Sequence, residues 1–327
     1  MKNLMKMSLA MMAISGCTSA PAQTGPVATS FHGRVLEFKS GADGFDTRTF
    51  FYEGQNEVIA FDSQFTPELA RASIAYLRTQ TDKPITWLVI THPNPDKFNG
   101  ASEFKREGAR IIASLATANA IPAVQAYKEY YFTEIAKMFA KGKYPQPTAI
   151  DQTFDHQLDL VLRGGERIHL RELSQPGVSS NQTVAFIESV GALFVGDLIH
   201  FKAHAWLEGG IVAGQPHPTL SGWIADLREL ESLYASTSTV FGGRGDTADL
   251  QTSARAQANY LHSALELIDQ ELARMGTHAN DFTGPESGAL YHSLAEKFQM
   301  KFPDYALSYM IDYGAYGLVQ SELKKTK

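Results

Sequence analysis

His92, Asn94, Asp96 and Lys97 put four different chemistries into six positions of the stretch Trp87-Leu-Val-Ile-Thr-His-Pro-Asn-Pro-Asp-Lys-Phe-Asn-Gly100. An imidazole accepts a proton or ligates a metal, and a carboxylate does either or binds a cation. A carboxamide donates and accepts hydrogen bonds without charge, and an ammonium neutralises a carboxylate. Residues 87–90 have the composition of a buried strand, so the polar groups follow its end in a turn braced by Pro93 and Pro95. Their spacing aims them into one small volume, as in an active-site or binding loop.

Such a loop needs a rigid base. Residues 31–39, 48–53 and 57–62 read as strands, the last two joined by the turn Gly54-Gln55-Asn56. Thr66 supplies a capping hydroxyl and Pro67 the first helical position of a helix that should run to about residue 79. The strand 85–91 then delivers His92, and a short helix 101–107 and a strand 110–113 follow. From 116 to 143 the chain is Ala-rich and helical, with a break expected near Pro122 and with Tyr127, Tyr130, Tyr131, Phe132 and Phe139 crowded together. Residues 158–162 and 167–173 flank Gly164-Gly165 as a hairpin, and 183–188 and 192–196 flank another. Leu220, Trp223, Leu227, Leu230 and Tyr234 step by three and four along one helix. Leu261, Leu265, Ile268, Leu272 and Met275 step likewise along a second, ended by Gly276. A helical tail from about 285 breaks at Phe302-Pro303. The second half thus repeats the first, strands followed by helices, as in two similar halves packed sheet against sheet.

Over roughly residues 31–272 the chain resembles the metallo-β-lactamase fold superfamily. The opening loop is similar to the family's H-x-H-x-D-H, with His92 and Asp96 matching and Asn94 and Lys97 where the family has His. Gln175-Pro-Gly-Val178-Ser resembles the P-G-H-[ST] turn with Val178 in the ligand position, and Leu193-Phe-Val-Gly-Asp197 resembles the strand that ends in the bridging carboxylate. Gly242-Gly-Arg244-Gly resembles the late G-H-G turn, and Asp62, closing Val58-Ile-Ala-Phe, matches an early Asp of the fold. The resemblance implies an α/β fold, a four-layer αββα sandwich of two similar halves, with the helical insertion at 116–143 covering the pocket. It also implies that these loops converge where the family holds two zinc ions. Zinc takes imidazole, thiolate or carboxylate, usually four ligands counting water. Val178 cannot donate, a neutral Asn94 is a poor ligand, and Lys97 and Arg244 would repel a dication. Two unit charges about 4 Å apart are worth roughly 4 kcal/mol at an intermediate dielectric, and a stranded buried carboxylate costs several. Lys97 and Arg244 against Asp96 and Asp197 therefore reads as an ion-pair cluster in place of zinc, and no cofactor is expected. His200 and His204 follow Asp197, but Gly209-Gly210 argues for irregular backbone there, so His204 and Trp206 read as pocket lining.

At 327 residues, 44% hydrophobic and 20% charged, the chain can bury a large core. Lys2 and Lys6 precede an apolar run and the box Ile14-Ser-Gly-Cys17, which resembles the signal of a bacterial lipoprotein. Residues 1–16 would be the signal peptide, 17–30 a Ser-, Ala-, Pro- and Thr-rich tether from acylated Cys17, and 31–327 the folded domain. Cys17 is the only cysteine, so no thiol is left for a disulfide or a metal. The protein is expected to be exported and anchored in the cell envelope, with the membrane as its partner through the lipid. Loss of the signal moves the net charge from −6 to −8, and no basic run offers a surface to nucleic acid.

Two functions compete. One is a binding protein that holds a small or anionic ligand in a pocket lined by Asn94, Lys97, Val178, His204 and Arg244. The other is a hydrolase of ester, amide, thioester or phosphodiester bonds, with His92, Asp96 and Asp197 as catalytic residues, either metal-free or carrying a single metal.

Overall fold

The computed structural model describes residues 33–325 apart from Glu286. The signal, Cys17 and the tether lie outside the described residues. Strands β1 (Arg34–Lys39), β2 (Arg48–Glu53) and β3 (Val58–Phe61) form an antiparallel meander. Helix α1 (Pro67–Arg78) then leads to β4 (Ile85–Val89), which pairs parallel with β3. The short helices α2 (Pro95–Phe98) and α3 (Ala101–Arg106) connect to β5 (Arg110–Ser114). The longer α4 (Leu115–Tyr130) leads, through one wider helical turn at Tyr131–Ile135 and an irregular stretch, to β6 (Gln152–Phe154). The six strands lie in sequence order in one sheet.

The second sheet repeats this plan. Strands β7 (Gln157–Val161), β8 (Arg167–Glu172), β9 (Thr183–Ile187) and β10 (Ala192–Phe201) are antiparallel neighbours. After a small ribbon of β11 (Gly210–Val212) and β12 (Gln215–His217) and helix α5 (Leu220–Leu233), β13 (Thr239–Gly245) joins parallel to β10, with β14 (Ala248–Asp249) at the edge. Helices α6 (Leu250–Met275), α7 (Ser287–Lys301), α8 (Tyr309–Gly314) and α9 (Tyr316–Lys325) complete the described chain. Among the described residues no helix is long and apolar enough to cross a membrane.

Side-chain alternation explains the layering, because neighbours along a strand face opposite sides of the sheet. Phe50 and Tyr52 of β2, Ile59 and Phe61 of β3 and Ile112 of β5 meet Ile168, Leu170, Ala185, Ile187 and Phe194 of the other sheet, and Phe61 stacks on Phe194 with ring centres 4.0 Å apart. Their neighbours Phe51, Val58, Ala60 and Ile111 face the opposite way, onto α1, α3 and α4. Val184, Leu193 and Val195 do the same against α5, α6, α7 and α9. The result is the expected four-layer αββα sandwich.

Three local expectations need correction. Helix α4 runs unbroken through Pro122, because one lost backbone bond is outweighed by the burial of Ile121, Val124, Gln125 and Lys128 along the same helix. Strand β10 continues past Gly196 to Phe201, because β13 offers it a second pairing edge, with His200 opposite Arg244. This puts Asp197 and His200 on a strand. The wider turn and irregular segment after Tyr130 replace the helix expected up to residue 143.

Candidate functional site

The C-terminal ends of β3, β4, β10 and β13 converge at one rim of the sandwich, and each delivers a charge. Asp62 leaves β3 with a left-handed backbone (φ 62°). Its carboxylate accepts 2.9 Å bonds from the Thr91 amide and hydroxyl, which ties the ends of β3 and β4 together. Asn94 starts α2, with Pro95 at the first helical position, and this single turn throws Lys97 inward. The Lys97 ammonium, fully buried, lies 2.7 Å from Asp197 Oδ1, 2.8 Å from Asp96 Oδ2 and 3.9 Å from Asp62 Oδ2. Arg244, from β13, donates through Nη1 to Asp197 Oδ2 at 2.7 Å and through Nη2 to Asp96 Oδ2 at 2.9 Å and Thr47 Oγ1 at 2.7 Å. Its Nε donates to the Phe45 carbonyl at 2.7 Å. Thr47 in turn donates to Asp96 at 2.9 Å. Gly243 makes room for the pair, since a Cβ there would meet Asp197 Oδ1 at 2.1 Å.

The electrostatics follow from this geometry. Burial alone would raise the Asp96 and Asp197 carboxyls, but Lys97 and Arg244 outweigh it and hold Asp96 down to about 2 and Asp197 well below the ordinary range. Both cations are held more firmly charged than usual by the same pairing, against the opposing effect of burial. Asp62 is the exception, since burial overrides the more distant Lys97 and pushes it up to about 7. Burial also lowers His92 to about 4, so its imidazole is neutral. His92 Nδ1 lies 3.0 Å from the Thr91 hydroxyl. Its Nε2 and the His200 Nε2 each stand 3.7 Å from Asp197 and make no hydrogen bond. Among the described residues no group of three or more His, Cys, Asp or Glu side chains is placed to hold a metal ion.

Above the cluster opens a small cleft of about 30 Å³, room for one or two waters, walled by Phe45, Phe65, Phe132, Trp206 and Met310. Asn94, Asp96, Asp197, Arg244 and Lys128 supply its polar atoms. Lys128, on α4, is paired with the buried Glu208, which also accepts from Trp206 Nε1 at 2.9 Å and from the Tyr316 hydroxyl. The insertion and the C-terminal helices therefore close the cleft together.

The structure brings together Asp62, His92, Asp96, Lys97, Asp197 and Arg244, and it sets Asn94 in the cleft wall. Lys97 and His92 lie beneath the wall, fully buried. Two residues expected in the pocket are elsewhere. Val178 is packed between the second sheet and its helices, because the turn before it docks on α5, with Gly177 against Trp223. His204 sits among Tyr260, Phe298, Phe302 and Tyr305, with Nδ1 3.2 Å from the Tyr260 hydroxyl. Thr47 and the Lys128–Glu208 pair were missed, and His200, weighed beside His204, was given no place in the site. The sole sequence signal for Thr47 is the Gly41 to Asp46 turn before it, which turns left-handed at Phe45 and Asp46.

A family model described as the metallo-beta-lactamase superfamily matches residues 42–241. Among solved structures, a metallo-beta-lactamase from Pontibacter korlensis superposes with a TM-score of 0.53 at 17% identity, over 70% of this chain and 99% of that one. The FIM-1 metallo-beta-lactamase of Pseudomonas aeruginosa, in its mono-zinc form, gives 0.51 at 17% identity, over 70% and 90%. No curated protein matches the sequence. The family match covers more than half of the chain, including all of β3, β4 and β10, and stops within β13 before Arg244; the chain belongs to the metallo-beta-lactamase superfamily.

Proposed function

We propose that this protein is a ligand-binding member of its superfamily, in which a buried ion-pair cluster stands where relatives hold zinc and the cleft above it retains a ligand of no more than a few atoms. One observation carries the reading: the Lys97 ammonium sits 2.7 and 2.8 Å from the two carboxylates that would have to face a metal. Asp96, Asp197, Lys97 and Arg244 sum to zero charge, so a dication added to them would be an uncompensated buried charge. The donor set does not fit a dinuclear zinc centre. His92 alone offers an imidazole in the opening loop, Asn94 and Val178 stand at the other ligand positions, and both carboxylates are already paired with Lys97 and Arg244.

The hydrolase reading has one observation in its favour, the bare Nε2 of neutral His92. That nitrogen is fully buried behind Asp197, 3.7 Å from its carboxylate, and His92 is not part of the cleft lining, whereas a general base must touch the proton it removes. Metal content separates this reading from a single-metal hydrolase. Protein purified without chelators should carry well under one zinc per chain, and chelator should leave its melting temperature unchanged. Near-stoichiometric zinc whose removal lowers the melting temperature would overturn the proposal. Restoring Asn94→His, Lys97→His, Val178→His and Arg244→His together should recover zinc binding. Any one alone should fail, because at least one opposing cation remains. The proposal includes export and anchoring through acylated Cys17, which the box at 14–17 supports.

A further inference from the structure

We infer that the protein carries a second binding site, a tyrosine-lined pocket between the insertion and the C-terminal helices that takes a quaternary ammonium group. Six tyrosines line it, Tyr127 and Tyr130 from α4, Tyr131 from the turn after it, Tyr291 from α7, Tyr313 from α8 and Tyr316 from α9. The pocket offers about 420 Å³, within the range of small-molecule sites and far above the cleft over the ion-pair cluster. The two share no lining residue, so this site stands whether or not the cluster replaces zinc.

Charge and ring chemistry select the ligand. Among the described residues that line the pocket, Asp312 carries the only charge and Ile135 is the only aliphatic hydrocarbon side chain. An anion would meet a carboxylate and no cation. The faces of aromatic rings are electron-rich and attract a cation centred within about 6 Å. His292, whose Nδ1 lies 3.1 Å from Asp312, is 71% exposed and outside the lining, so solvent screens that pair. Three of the rings are held from beneath. Tyr127 donates to the Tyr316 hydroxyl, Tyr316 donates to the buried Glu208, and Tyr131 lies parallel to Tyr316 with ring centres 6.1 Å apart. Burial, and after it the charge of Glu208, holds the Tyr127 and Tyr131 hydroxyls above their usual range, so both rings stay neutral phenols. Faces fixed before the ligand arrives lower the cost of binding it. A primary ammonium is compact and strongly hydrated and would give up its water for a single carboxylate. A quaternary ammonium has no N–H to satisfy and spreads its charge over methyl groups that fit the faces.

Calorimetric titration of the full chain compares choline with dimethylbutanol, its neutral isostere with carbon in place of nitrogen, and with ethanolamine, which lacks the methyl groups. Choline should saturate, with the other two weaker by at least about tenfold. Asp312→Asn and Tyr130→Leu should each weaken choline several-fold at an unchanged melting temperature, since Tyr130 is 61% exposed and Asp312 lies at the pocket wall. Tyr130→Phe, which keeps the ring face, should retain choline binding. No saturable choline response, dimethylbutanol or ethanolamine binding as tightly as choline, or choline binding indifferent to both substitutions would each overturn the inference. Phosphatidylcholine vesicles distinguish the two sources of such a group. Sedimentation of the Cys17→Ser protein with them, competed away by choline, assigns a lipid headgroup, and choline binding without it assigns a free solute.

Discussion

Each of Lys97, Arg244, Asp96 and Asp197 is tolerable in the interior only because the others are there. Removing one partner of a buried charge network typically costs about 3–5 kcal/mol, since a charge is stranded. Lys97→Met should therefore destabilise the protein by about that much in urea denaturation at pH 8. The loss should be smaller at pH 5, where the stranded carboxylate escapes by taking up a proton. An equal loss at both values would mean that Lys97 acts by packing alone. In the native protein the folded carboxyl of Asp96, at about 2, lies below its unfolded value. Its stabilisation is thus complete above about pH 4 and is lost as the pH falls from there toward 2. These four residues were legible in the sequence through the resemblance of their loops to the family's converging loops, and their opposite charges made the pairing chemically complete. His204 and Val178 were misplaced because a side chain's destination there depends on which helix the loop docks against, and that is settled by tertiary packing rather than by spacing.

Among the elements, β1 to β5 and β7 to β9 were readable nearly to their ends, since alternation along β2, β3 and β5 matches the two faces they bury, whereas β6 and β11 to β14 carried no strand reading and residues 242–245 of β13 were read as a turn. Helix α4 through Pro122 and the extension of β10 were not readable, because each depends on a partner distant in the chain. Strand β13 carries its own test. In Gly243→Ala the new methyl would press on Asp197 and Lys97, and overpacking of this kind costs about 1–3 kcal/mol. Gly288→Ala in α7, where nothing lies within 4 Å of the added carbon, should instead stabilise by about 0.5–1 kcal/mol. Equal effects at the two sites, read from denaturation midpoints, would show that the cluster yields freely. The segment 131–143 closes one side of the cleft through Phe132, so replacing it with a short loop should alter ligand binding there while far-ultraviolet circular dichroism retains the sheet signal. Global unfolding would mark its aromatics as core filling.

At the scale of the molecule, helices α6 to α9 lie beyond the 42–241 family match, yet Met310 lines the cleft and Tyr316 bonds to Glu208. The cleft is thus partly built by residues that the family pattern does not specify. At the other end of the chain, Cys17→Ser should leave a soluble or unprocessed form, checked by membrane fractionation. Processing of the wild type at another site, insensitive to globomycin, would refute the anchor. The cluster also has a consequence for biosynthesis. Lys97 meets Asp197 across 100 positions, and Arg244 reaches back 148 to Asp96 and 199 to the Phe45 carbonyl. A nascent chain that has not yet released Arg244 from the ribosome holds Asp96 and Asp197 with one cation between them. Closure of the sandwich is disfavoured by the stranded carboxylate until that residue emerges. Closure is therefore a late event shared by both halves, and a chain arrested before residue 244 should stay open to proteases and chaperones.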